Sequence, residues 1–168
     1  MLFSYDSAQK LMVDLVTGRK IKTDILDEYD IISIQDLILQ NFKVAIKNED
    51  ADVVDCLVYF VYYFELESEE LLKIFNTLLL EKWHYKHEDV VRQLAKYKSE
   101  SSIEYLKKAT IMEYSYLMYE GNESFALAKK CIKVLGKINN NASKVALIEL
   151  SNISNSYIAD MAKKELSL

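Results

Sequence analysis

A chain of 168 residues with no proline and only three glycines has few means of turning sharply. Proline is the usual helix breaker, and glycine supplies the positive φ that tight hairpins and phosphate-cradling loops require. Without them, hairpins, β-sandwiches and glycine-rich nucleotide loops are poorly served, and an all-α fold is expected. The chain is 51% hydrophobic, enough for one domain spanning residues 1–168 with a real core. Two cysteines and two histidines are too few for a disulfide scaffold or a closed zinc site, so no cofactor and no metal are expected.

The longest uninterrupted apolar run, Cys56 to Phe64, is far shorter than the roughly 20 residues that span a bilayer. The start, MLFSYDSAQK, lacks the basic segment, long apolar stretch and small-residue cleavage pattern of a secretion signal. A cytoplasmic protein with no membrane association is expected. Cys56 and Cys131 are then reduced, and both sit among apolar neighbours, as small buried hydrophobes do.

Polar joints divide the sequence at Thr17–Thr23, Asn48–Asp52, Glu65–Ser68, Tyr85–His87, Lys98–Ser101, Gly121–Ser124, Ile138–Ala142 and Ser151–Ser156. Each offers a Ser, Thr, Asn or Asp able to cap the next helix. Ser33-Ile-Gln-Asp36 approximates a capping box ahead of Leu37–Ile46. Between Ser124 and Ile138, residues Phe125, Ala128, Cys131, Ile132, Leu135 and Ile138 share one side of a helix, and Lys129, Lys130, Lys133 and Lys137 lie opposite. Val53 to Phe64 is apolar in every direction, so this helix is expected to be covered on more than one side.

Charge is unevenly spread. Eight basic residues face sixteen acidic ones from Met1 to Lys82, while thirteen face ten from Trp83 to Leu168. The acid falls in three clusters: Asp24, Asp27, Glu28 and Asp30; Glu49, Asp50, Asp52 and Asp55; Glu65, Glu67, Glu69 and Glu70. Such a half repels nucleic acid and attracts basic proteins, although acids at helix starts also complement the macrodipole. Glu49, Asp50, Asp52, Glu67, Glu69 and Glu70 are the candidate partner-binding residues. In a stack of helix pairs the second helices, expected at Ser33–Lys47, Ser68–Lys82, Ser101–Tyr119 and Ser143–Ile153, line one surface; in the acidic half Glu67, Glu69 and Glu70 are nearest that surface, with Glu49, Asp50 and Asp52 across the adjoining joint.

The second half repeats. At an offset of 41, Leu94 falls on Leu135, Ala95 on Gly136 and Lys96 on Lys137; with one residue added in the joint, Ile103 falls on Val145 and Leu106 on Ile148. At 34, Ala128-Lys-Lys130 and Ile132 fall on Ala162-Lys-Lys164 and Leu166. A period of 30 to 45 residues is the mark of an α-solenoid of antiparallel helix pairs. The helix ending Leu135-Gly136-Lys137-Ile138, the short joint, the helix Ser143–Ile153 and the closing Ala162-Lys-Lys164-Glu165-Leu166 together resemble short bacterial HEAT-like repeats, most clearly over residues 87–168. The Asp-Pro joint and the arginine pairs usual in those repeats are missing.

Small acidic HEAT-like proteins of this size are similar to immunity proteins of polymorphic-toxin and contact-dependent inhibition systems. That resemblance implies a non-catalytic protein that binds and neutralises a basic toxin domain, often a nuclease. Two alternatives belong to other classes, namely an enzyme of the DNA-glycosylase or lyase kind on the same repeats and a structural adaptor.

Few residues suggest chemistry. His84 and His87, with Glu88, have a spacing that a metal would accept, but Glu88 and Asp89 open a helix and the segment reads as a structural joint. The lysine arc with Lys163 and Lys164 could follow a phosphate backbone, against which stands a sequence pI near 5.2. Of the twelve tyrosines, Tyr59, Tyr62 and Tyr63 belong to the apolar helix, while Tyr114, Tyr116 and Tyr119 cannot share one helix face. Glu113 beside Tyr114 and Tyr116 is the sole carboxylate–aromatic cluster that an enzyme reading could use.

Overall fold

The computed structural model describes residues 5–28, 30–117 and 125–167. Among them are ten α-helices, two short 3₁₀ turns (Glu100–Ser102 and Ser115–Leu117) and no strand, so the expected all-α class holds. The helices are α1 Tyr5–Val16, α2 Lys22–Glu28, α3 Ile31–Asn48, α4 Ala51–Phe64, α5 Glu69–Leu78, α6 His87–Tyr97, α7 Ile103–Ile111, α8 Ala126–Ile138, α9 Asn141–Ser151 and α10 Ser156–Leu166. Two compact units form: one of residues 1–74 and 83–86, the other of 75–82 and 87–168.

In the first unit α4 packs against both α1 and α3. Val53, Val54, Cys56, Leu57, Val58, Phe60, Val61 and Phe64 are all buried, which fits a helix apolar all round. The start of α3 differs from expectation. Its cap is Asp30, whose carboxylate accepts from the Ser33 backbone N–H at 2.9 Å and from the Ser33 hydroxyl at 2.8 Å. Ser33 therefore occupies the third helical position, and the capping pair lies three residues earlier than Ser33–Asp36.

In the second unit α6 packs on α8, α7 on α8 and α9, and α10 on α8 and α9. The buried residues of α6, His87, Val90, Val91, Gln93 and Leu94, fall at an offset of 41 on Ala128, Cys131, Ile132, Val134 and Leu135, all buried on α8. The same offset carries Ser102, Leu106 and Ala109 onto Ser143, Leu147 and Leu150, again all buried. The added residue in the joint is not supported, since it would set buried Ile103 and Leu106 on Val145 and Ile148, which are 54% and 50% exposed. The copy at 34 holds for buried Ala128 and Ala162 but sets buried Ile132 on Leu166, which is exposed. Leu127 and Val134 widen the buried face of α8 beyond the expected stripe, because α8 has neighbours on several sides.

Gly18 at φ 71° follows α1, but four other helix ends take left-handed backbone without glycine. Glu49, Glu65 and Asn139, after α3, α4 and α8, and Lys98, after α6, all adopt left-handed backbone at φ 52, 56, 50 and 48°. In the Glu49 and Glu65 caps the backbone N–H returns to carbonyls of the last turn. Two expected helices end early. The Ser68–Lys82 helix stops at Leu78, and the carbonyls of Leu79 and Glu81 accept side-chain hydrogen bonds from Tyr114 and His87. The Ser101–Tyr119 helix stops at Ile111, where Met112 turns extended. The Gly121–Ser124 joint and Tyr119 lie outside the described residues. No described helix is long and apolar enough to cross a membrane.

Candidate functional site

The acidic candidates have different surroundings. Asp50 caps α4, its carboxylate accepting from the Val53 backbone N–H at 3.0 Å; here the acid has a structural task. Ser68 caps α5 by accepting from Leu71 N–H at 3.2 Å, which leaves Glu69 and Glu70 exposed in the first turn and Glu67 exposed just before it. Glu49 and Asp52 are exposed as well. Among the described residues none of Glu49, Asp52, Glu67, Glu69 and Glu70 has an ion-pair partner, whereas Glu65 meets Lys22 at 3.2 Å and Asp55 meets Lys86 at 2.8 Å.

The six do not form one patch. Glu49, Asp50 and Asp52 bracket the start of the 14-residue α4, and Glu67, Glu69 and Glu70 lie beyond its end, roughly 20 Å away at 1.5 Å per residue. The first group acts on its surroundings: burial, helped by Asp55, Asp52 and Asp50, pushes the Cys56 thiol up to about 11. Cys131 is fully buried and its thiol is pushed up to about 12, chiefly by desolvation. Both cysteines are free and sit in the core, as their apolar neighbours indicated; neither has the low thiol pKa of a reactive cysteine.

The lysine arc is less available than its spacing implied. Lys130 donates to Glu88 at 2.6 Å, and Lys163 lies 3.6 Å from Asp160. Lys129, Lys133 and Lys137 are exposed. Lys107 of α7 is held by Glu149 at 2.8 Å and Glu104 at 2.9 Å, which raises its pKa, the Glu149 hydrogen bond most of all.

Both histidines are buried. His84 Nδ1 accepts from the Lys86 backbone N–H at 3.1 Å. His87 Nε2 lies 2.6 Å from the Glu81 carbonyl and Nδ1 2.7 Å from the Tyr116 hydroxyl. A carbonyl can only accept, so the hydrogen-bond partners assign the proton to Nε2, and Tyr116 donates to Nδ1 while accepting from the His87 backbone N–H at 3.2 Å. With both ring nitrogens engaged, His87 has no lone pair left for a metal. The Tyr114 ring lies 4.0 Å from that of His87 and its hydroxyl donates to the Leu79 carbonyl at 2.6 Å; burial raises its phenol above the ordinary range. These bonds join positions 29 and 35 residues apart, beyond the reach of a local motif.

Glu113 is exposed and lines a cleft of about 310 Å³ with Thr110, Met112, Tyr114, Leu127 and Asn155. Of its two aromatic neighbours in sequence, Tyr114 spends its hydroxyl on Leu79 and Tyr116 on His87. What the arrangement provides chemically is buried structure on the histidine side and unpaired exposed carboxylates around α4 and α5. Among known proteins, no family model, no curated protein and no solved structure matches this chain.

Proposed function

We propose that this chain is a non-catalytic protein-binding module built on HEAT-like helix pairs, and that its specific task is immunity: holding a basic toxin domain through exposed carboxylates. The observation that carries the reading is the set Glu67, Glu69 and Glu70, exposed and without ion-pair partners among the described residues. Cations in the second unit such as Lys107 and Lys130 are, by contrast, already paired with acids of that unit. Unpaired surface carboxylates cost little in stability and steer a cationic partner during encounter.

The repeat architecture is supported by the packing of α6 on α8 and α7 on α9 and by the common burial register at an offset of 41. In a stack of helix pairs, equivalent helices lie side by side in this way.

The test is co-expression with the product of the adjacent reading frame, followed by stopped-flow association at low and high salt. Reversing Glu69 and Glu70 to lysine slows association at least about tenfold at low salt and leaves the fold intact. Reversing Lys129 and Lys133 to glutamate has almost no effect; Lys130 is avoided because it is tied to Glu88. If the lysine change abolishes binding and the glutamate change does not, the second half does the binding and the reading falls.

A further inference from the structure

A groove between α7 and α9 in the second unit has no part in that reading. Ile103, Ala142 and Val145 line it with apolar surface, Glu100, Glu104 and Glu149 add carboxylates, and its volume is about 330 Å³. The one cation in the lining, Lys107, is already engaged by Glu104 and Glu149. The groove is therefore apolar in part and net negative.

Val145 and, one turn on, Ile148 are half exposed, while the core face of α9 is made by Ser143, Ala146, Leu147 and Leu150. Neither local preference nor the core accounts for the pair. Valine and isoleucine are poorer helix formers than alanine, lysine or glutamate, by up to about 0.6 kcal/mol each, and an exposed helix face with no other task does better with those. Lone exposed apolar residues are ordinary. Two on successive turns beside carboxylates give the apolar centre and charged rim of an interaction surface.

We infer that this groove, together with the exposed strip of α9 beside it that carries Ile148, docks an amphipathic helical segment of a protein partner, with an aliphatic side chain set against Val145 and Ile148 and lysine or arginine side chains facing Glu100, Glu104 and Glu149. Charge selects this occupant, since an acidic segment would meet three carboxylates of its own sign. In helix-in-groove recognition the docked helix supplies apolar anchors about one turn apart, and Val145 and Ile148, on successive turns of α9, form an apolar strip long enough to meet two of them. The surface shares only the sign of its partner with the acidic residues around α4 and α5, and it stands without them.

The full chain, labelled at Ile, Val and Ala methyl groups, is titrated with a synthetic helical peptide of leucine and lysine and with its leucine–glutamate counterpart. The lysine peptide shifts the Val145 and Ile148 resonances and the glutamate peptide does not. V145N/I148N, with circular dichroism confirming the fold, weakens binding at least about tenfold, and E104K/E149K reverses the preference between the peptides. E69K/E70K leaves the Val145 and Ile148 shifts in place, so a failure of the acidic-edge reading is distinguishable from a failure here. Shifts confined to other methyl groups, or an affinity unchanged in V145N/I148N, overturn the inference. So does sedimentation showing a dimer that V145N/I148N converts to monomer, because a second copy then fills the groove.

Discussion

Lys130 donates to the carboxylate of Glu88 at 2.6 Å across a separation of 42 residues, and Lys107 makes the same kind of bond to Glu149 across the same separation. The first pair joins α8 to α6 and the second joins α7 to α9. Such pairs contribute little energy when open to solvent, and the Lys130 and Glu88 side chains are 41% and 33% exposed. Replacing Lys130 by methionine lowers stability by no more than about 1 kcal/mol. Leu94 and Leu135, 41 residues apart and both wholly buried, behave otherwise: L94A or L135A costs about 2–5 kcal/mol. Urea unfolding of the three variants checks the contrast.

Tyr114 fastens the end of the α7 segment to the turn after α5. Its buried hydroxyl donates to the Leu79 carbonyl, and Y114F keeps the ring against His87 while leaving that carbonyl without its donor. The expected loss is about 1–3 kcal/mol. A Y114F variant as stable as the parent would show that water replaces the hydroxyl.

Stability falls on the alkaline side. Cys131, Cys56 and Tyr114 all have folded pKa values raised by burial, the thiols from 9.0 to about 12 and about 11. Each keeps its proton in the folded state at a pH where the unfolded chain releases it, so the stability they confer is complete below pH 9 and is lost as pH rises above it. Each group steepens the fall by up to about 1.4 kcal/mol per pH unit. Urea midpoints between pH 8 and 10.5 decline more gently in C131A than in the parent, and native Cys131 resists iodoacetamide. A midpoint that does not move over this range contradicts the burial of these groups.

Asp50 separates capping from charge. D50A removes the acceptor for Val53 N–H and costs about 1 kcal/mol, whereas D50N retains a capping oxygen and stays close to the parent. Thermal unfolding reads the difference. If D50N slows partner association as much as E69K/E70K does, the α4 start joins the interface; the proposed function places the larger effect on Glu69 and Glu70.

How far the sequence could be read depends on what each residue answers to. The absence of proline and the cap residues marked most helix joints, because capping is a local matter: Asn140 and Ser143 make a reciprocal box within four residues. The match of Leu94 with Leu135 at an offset of 41 was legible because both positions are core. After the joint, hydropathy misplaces the match, because Val145 and Ile148 are apolar without being buried, a distinction that hydropathy alone does not make. The early ends of α5 and α7 were hidden for another reason, since no glycine or proline marks them and, after α5, the Leu79 carbonyl takes its hydrogen bond from Tyr114, 35 residues downstream. The acidic clusters were plain, but only the helix between them shows that they lie at opposite ends of α4.

The left-handed residues after the helices amount to unused thermal headroom. Lysine at φ 48° in Lys98 bears a steric penalty of about 1 kcal/mol that glycine would not, and its side chain is exposed. K98G is expected to raise the melting temperature by about 2–6 °C. N139G adds less, because asparagine tolerates this backbone better. A lineage carrying this fold could therefore absorb a destabilising change at a binding surface and recover the loss at a helix end, where nothing else need alter.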